Sequence, residues 1–134
     1  MTVVGIDPGS RSWSIVMLEH NSTLHEVRFS SDQIKQQSSL ISDLIKTYED
    51  IQMMVVPSGY GLSLKSLKSL TDSDFKLLTL KHHDEPRIFG LTDVLLHLQS
   101  AGIPGFVIPG VIHLPTVPKY RKYNRIDMGT PDKV

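Results

Sequence analysis

Gly5-Ile6-Asp7-Pro8-Gly9-Ser10-Arg11 is the stretch on which the reading of the whole chain turns. Thr2 to Asp7 is a short apolar run closed by a Pro-Gly turn, the pattern of a buried strand. Trp13 to Glu19, centred on Ile15-Val16-Met17-Leu18, is a second such run. Only the tight polar link Pro8-Gly9-Ser10-Arg11-Ser12 separates them, so the two are expected to pair as a hairpin. A strand that ends in Asp sets a carboxylate at the end of the sheet, where open α/β sheets bind ligands. Gly9 lets the backbone approach a phosphate closely. Successive amides there, with the Ser10 hydroxyl, can form an anion-binding nest, and Arg11 can add a charge-assisted bond. Asp7 would hold a hydrated Mg²⁺ rather than touch phosphate directly, because like charges repel. Asp-Pro-Gly is also ordinary hairpin-turn chemistry, and that plainer reading stands beside the functional one.

Outward from the motif, Asn21-Ser22 makes the next turn, and the Asn21-Ser22-Thr23 sequon is read as part of it. Leu24 to Phe29 alternates Leu24, Glu26 and Arg28 against His25, Val27 and Phe29, which suggests a third strand nearer an edge. Ser30-x-x-Gln33 fits a capping box and opens a helix signal that continues through Ile34, Leu40, Ile41, Leu44, Ile45 and Tyr48. Met53-Met54-Val55-Val56 reads as a central strand. Leu62, Leu64, Leu67 and Leu70 have helical spacing, and Phe75 to Leu80 reads as a further strand. Pro86 suits a first helical position, Ile88, Leu91, Leu95 and Leu98 follow at helical spacing, and Gly102 can end that helix. Gly105 to Ile108 reads as a strand. Three consecutive strands followed by alternating helix and strand predict an α/β domain with a mixed sheet, Val3–Asp7 central and antiparallel to Trp13–Leu18.

Composition narrows the functional classes. The 134 residues fit one domain, and 40% of them are hydrophobic, enough for a normal core. Lys and Arg balance Asp and Glu at 14 each, which argues against a protein that coats nucleic acid with its whole surface. There is no cysteine, so disulfides and thiolate chemistry are excluded. No apolar run approaches a membrane span and no basic segment precedes an apolar one at the start, so a soluble, cytoplasmic protein is expected.

Four further stretches can carry chemistry. Pro57-Ser58-Gly59-Tyr60-Gly61 follows the fourth strand, so Ser58, Gly59 and Tyr60 could grip an oxyanion or phosphate at the same crevice as Asp7. Tyr120-Arg121-Lys122-Tyr123-Asn124-Arg125 interleaves cations with aromatic residues. That pattern suits nucleic acid, a phosphorylated small molecule or a partner domain alike. Asp127-Met128-Gly129-Thr130-Pro131-Asp132-Lys133 repeats the logic of the first motif: acid, glycine, hydroxyl, cation. His82-His83-Asp84-Glu85 offers four metal-ligand types, but adjacent side chains diverge and an exposed loop accounts for them better.

Two families share the opening motif. GIDPGSR resembles the start of the Holliday-junction resolvases of the RNase H-like group, and also that of acetate, butyrate and related kinases. The resolvases need a Glu at the end of the fourth strand, where this chain has Met53-Met54-Val55-Val56-Pro57-Ser58. GIDPGSRSW at 5–13, PSGYGL at 57–62 and IPGVIHLPTVPKYRKYNRIDMGTPDKV at 108–134 resemble an archaeal family of unknown function described as predicted butyrate kinases. Its superfamily is that of sugar kinases, heat-shock proteins and actin.

That resemblance implies an RNase H-like, actin-like ATPase domain whose mixed sheet opens with three antiparallel strands. It implies ATP and Mg²⁺ bound between two such domains, with phosphoryl transfer to a carboxylate or other small acceptor. Residues 1–115 are then the N-terminal domain and 116–134 a basic, Pro-containing tail leading to a second domain that this chain lacks, so the chain alone is expected to turn over ATP poorly. Asp7 would position Mg²⁺, with Arg121 and Arg125 as catalytic cations. Gly9, Ser10, Arg11, Asp127, Gly129 and Thr130 would contact the nucleotide phosphates, and Ser58, Gly59 and Tyr60 the acceptor. A homodimer is compatible with this scheme. The alternatives are a metal-dependent nuclease of the resolvase type, for which Asp127 and Asp132 are the further acids, and a non-catalytic interaction domain.

Overall fold

The computed structural model describes residues 2–9, 11–20, 22–57, 62–79, 90–110 and 113–122, and the side chains of all of these except Pro57, Thr79, Arg121 and Lys122. Its strands are β1 (Thr2–Pro8), β2 (Ser12–Glu19), β3 (Ser22–Ser30), β4 (Ile51–Pro57), β5 (Lys65–Ser66) and β6 (Gly105–Ile108). They form one mixed sheet in the order β3-β2-β1-β4-β6-β5. The short link after Pro8 forces β1 and β2 together as antiparallel neighbours, with Val3 opposite Leu18 and Asp7 opposite Ser14. β3 adds antiparallel to β2 at the edge. On its other side β1 pairs parallel with β4, and β4 parallel with β6. Val3–Asp7 is therefore central, as the three-strand opening requires.

The helices are α1 (Ser31–Gln36), α2 (Leu40–Lys46), α3 (Asp72–Thr79), α4 (Leu91–Ser100) and α5 (Lys119–Lys122). Strand alternation sends Val4, Ile6, Trp13, Ile15, Met17, Met54, Val56 and Val107 to one face, where they join Ile34, Ile41, Ile45, Phe75, Leu78, Leu95 and Leu98 from the helices in a single core. The other face of the sheet carries Val3, Val16, Met53 and Val55, half-buried, with Leu18, Phe106 and Ile108 exposed.

Three expectations are corrected. The helix signal from Ser30 resolves into two helices, not one. Ser30 caps α1 with the reciprocal capping box, but no apolar residue stands between Ile34 and Leu40, and the chain breaks at Gln37-Ser38-Ser39. The serines there bond locally, Ser39 Oγ to Asp43 at 2.7 Å and Ser42 Oγ to the Ser39 carbonyl at 2.8 Å. The helical spacing of Leu62 to Leu70 gives instead a two-residue edge strand, β5, and a 3-10 turn over Leu67–Ser69. Gly105 makes room for that turn: a Cβ there would sit 3.2 Å from Leu67. Gln99 of α4 then holds it by donating to the carbonyls of Leu67 and Leu70 at 3.1 and 3.3 Å. Finally, the strand expected over Phe75–Leu80 is replaced by a helix, Asp72–Thr79, with Leu80 outside the described residues. The signal that was missed is its cap. Asp74 Oδ2 accepts from the Thr71 amide at 2.7 Å while the Asp74 amide donates to Thr71 Oγ1 at 3.4 Å.

Asp74 also takes the Lys65 ammonium at 2.7 Å, which ties the edge strand β5 to α3. The Lys65 hydrogen bond first, and the Thr71 amide second, hold the Asp74 pKa at about 2, below its ordinary 3.8. A depressed carboxylate pKa adds stability that is present above the unfolded value and lost as pH falls through the folded one. Asp74→Asn should therefore differ most from the wild type above pH 4 and converge with it as pH falls toward 2. Urea denaturation at a series of pH values checks this; a constant difference across that window would remove Asp74 from the acid response.

Candidate functional site

The first hairpin turn is built almost entirely by backbone bonds. Gly9 N–H donates to the Ser12 carbonyl at 2.9 Å, closing the turn. Ser31, the first residue of α1, clamps it from below: its amide donates to the Arg11 carbonyl at 2.9 Å and its hydroxyl to the Gly9 carbonyl at 3.2 Å. A Cβ on residue 9 would lie 2.6 Å from the Ser12 carbonyl oxygen, so glycine is required there by close approach. The Gly9 amide is thus committed within the turn. Arg11 is exposed beside it, and Ser10 lies outside the described residues.

Asp7 stands just before this turn, on the sheet face opposite the core, and is exposed. Among the described residues its carboxylate has no hydrogen-bond or ion-pair partner. Because β1, β4 and β6 run parallel, their carboxyl ends share one end of the sheet. Gly5 pairs with Val55 and Val55 with Phe106, and Pro57 pairs with Ile108 at that same end. Ser58, Gly59 and Tyr60 follow Pro57 and lie outside the described residues, as do Arg125, Asp127, Gly129, Thr130 and Asp132. Arg121 falls in α5, with its side chain outside that description.

Two residues that the motif search passed over join Asp7. Ser14 is its direct cross-strand partner, and Arg28 is the partner of Ser14. Arg28 Nε donates to Ser14 Oγ at 3.3 Å, so the guanidinium leans onto β2 beside the residue that faces Asp7. The signal was present in the alternation of β3, which puts Arg28 and Glu26 on one face, but it needed the register to connect it with Asp7.

No three His, Cys, Asp or Glu side chains converge as a metal cage among the described residues. A lone exposed carboxylate suits Mg²⁺, which keeps several waters and takes one or two carboxylates together with substrate phosphate. A family model described as "Protein of unknown function (DUF1464)" matches residues 5–134. The chain belongs to that family. No curated protein matches it. The family match thus starts at Gly5, the first residue of the motif, and spans both the hairpin turn and the basic tail. No helix among the described residues is long and apolar enough to cross a membrane.

Gly9→Ala should lower stability by roughly 1–3 kcal/mol, because its Cβ meets backbone rather than a movable side chain. Chemical denaturation of the variant checks this, and an unchanged midpoint would show that the turn relaxes freely.

Proposed function

We propose that this chain is the N-terminal phosphate-binding domain of an ATP-dependent small-molecule kinase of the actin-like class, with an RNase H-like fold. The observation that carries the proposal is Asp7: an exposed carboxylate without a partner among the described residues, at the carboxyl end of the central strand. The strand order supports the fold reading, since β1 has an antiparallel hairpin on one side and parallel strands on the other.

Bound Mg²⁺ would supply charge neutralisation at the phosphoryl oxygens. Asp7 would hold that ion through its carboxylate, and the two Ser31 bonds fix the adjoining turn. Arg11, on the turn, offers an exposed cation to the phosphates. The acceptor, a carboxylate or other small molecule, falls to Ser58, Gly59 and Tyr60 with Arg121 and Arg125. A second actin-like domain completes the nucleotide pocket, and a cytoplasmic location follows from the substrate class.

The test is a nucleotide titration with and without Mg²⁺ on the 134-residue chain and on any longer parent protein. Asp7→Asn should abolish Mg²⁺-dependent ATP affinity while changing stability by no more than about 0.5 kcal/mol, as for an exposed residue outside the core. Unchanged binding together with a large drop in melting temperature would make Asp7 structural and end the kinase proposal.

A further inference from the structure

On the open face of the sheet, three cross-strand rows can be followed by register. One runs Leu18–Val3–Met53 and the next Glu26–Val16–Gly5–Val55–Phe106. The third, at the carboxyl end of β1, begins Arg28–Ser14–Asp7. The first two rows are apolar across β2, β1 and β4. In the third, guanidinium, hydroxyl and carboxylate stand side by side on adjacent strands, about 4.8 Å apart strand to strand. We infer that Arg28, with Ser14 beneath it, is a phosphate-contacting residue of the site at Asp7, and that the ligand is a magnesium-bound phosphate chain lying across β1, β2 and β3. The inference rests on the phosphate-site reading of Asp7.

The chemistry of the row fits the two halves of such a ligand. A carboxylate attracts the cation and repels the phosphate, so the phosphate oxygens must find their donors to one side. The Ser14 hydroxyl and the Arg28 guanidinium are the donors on that side. Arg28 spends its Nε on Ser14, which fixes its lean, and its Nη2 has only a 3.8 Å contact with Glu26. Both members of that contact are more than half exposed, so water screens it and it competes weakly with a dianionic phosphate. The guanidinium fork matches phosphate geometry in a way that a lysine at the same place would not. Arg11, on the turn beside Asp7, adds a second exposed cation at the same sheet end.

The experiment is a MgATP titration with melting temperatures on five proteins: wild type, Asp7→Asn, Arg28→Gln, Arg28→Lys and Glu26→Gln. Arg28→Gln should weaken MgATP binding by roughly tenfold or more, the loss expected of a hydrogen bond to a charged group, with an unchanged melting temperature. Arg28→Lys should fall between the two, since it keeps the charge and loses the fork. Glu26→Gln, which removes the competing carboxylate, should bind at least as tightly as wild type. If wild type binds MgATP, Asp7→Asn does not, and Arg28→Gln binds like wild type, the role of Arg28 is overturned while the kinase proposal stands. Equal losses in Arg28→Gln and Glu26→Gln would make the pair a structural contact and overturn it too. If neither this chain nor a longer parent protein binds MgATP, both fall together.

Discussion

The bonds from Ser31 to the first hairpin turn are the constraint on which the rest of the described structure depends. One residue at the start of α1 donates twice, to the carbonyls of Gly9 and Arg11, and so joins a turn and a helix start that are far apart in sequence. Those carbonyls would otherwise face solvent or be left unpaired at the rim of the core. The immediately preceding residue, Ser30, ends β3 and caps α1 through the Gln33 amide at 3.1 Å. The hairpin, the edge strand and the first helix are thereby locked into one geometry before any long-range packing is considered. Asp7 inherits its position from that lock.

The sheet that results is strongly two-sided. Its inner face buries Val4, Ile6, Trp13, Ile15 and Met17 completely or nearly so, and most of the hydrophobic driving force must lie there. Trp13 is the largest of these side chains, and it sits directly opposite Pro8, at the base of the first hairpin turn. Across β2, β1 and β4 the outer face is half-apolar, and it becomes polar in the row where Asp7, Ser14 and Arg28 stand on adjacent strands. A charged residue is tolerated there because it stays in water, whereas one position earlier, at Ile6, it would enter the core. Period-two alternation thus determines both where the core can form and where chemistry can be displayed.

Much of this was legible in the chain. The hairpin, the third strand, the capping box, the central strand at Met53–Val56 and the C-terminal stop at Gly102, which is left-handed with φ 74°, all rest on short-range rules. Turn length, alternation and capping act within a few residues, so local sequence carries them. The failures lie where long-range partners outweigh local spacing. Leu62 to Leu70 has the spacing of a helix, but Gly105 of β6 admits Leu67 at close range and Gln99 of α4 draws off the carbonyls, so a strand and a tight turn form instead.

The site divides in the same way. Asp7 and the turn after it were marked as a candidate by residue type alone, because a strand that ends in Asp-Pro-Gly sets a carboxylate at a sheet end beside a tight turn. Ser14 and Arg28 carry no motif and were invisible until strand register set them beside Asp7. The commitment of the Gly9 amide to Ser12 was equally beyond the sequence, since the same glycine can serve a phosphate or a turn. The sequence by itself determined which backbone segments pair and which way their side chains alternate. Only the tertiary structure decided which side chains from different strands share a row, because register and helix-to-loop contacts join residues that no local rule connects.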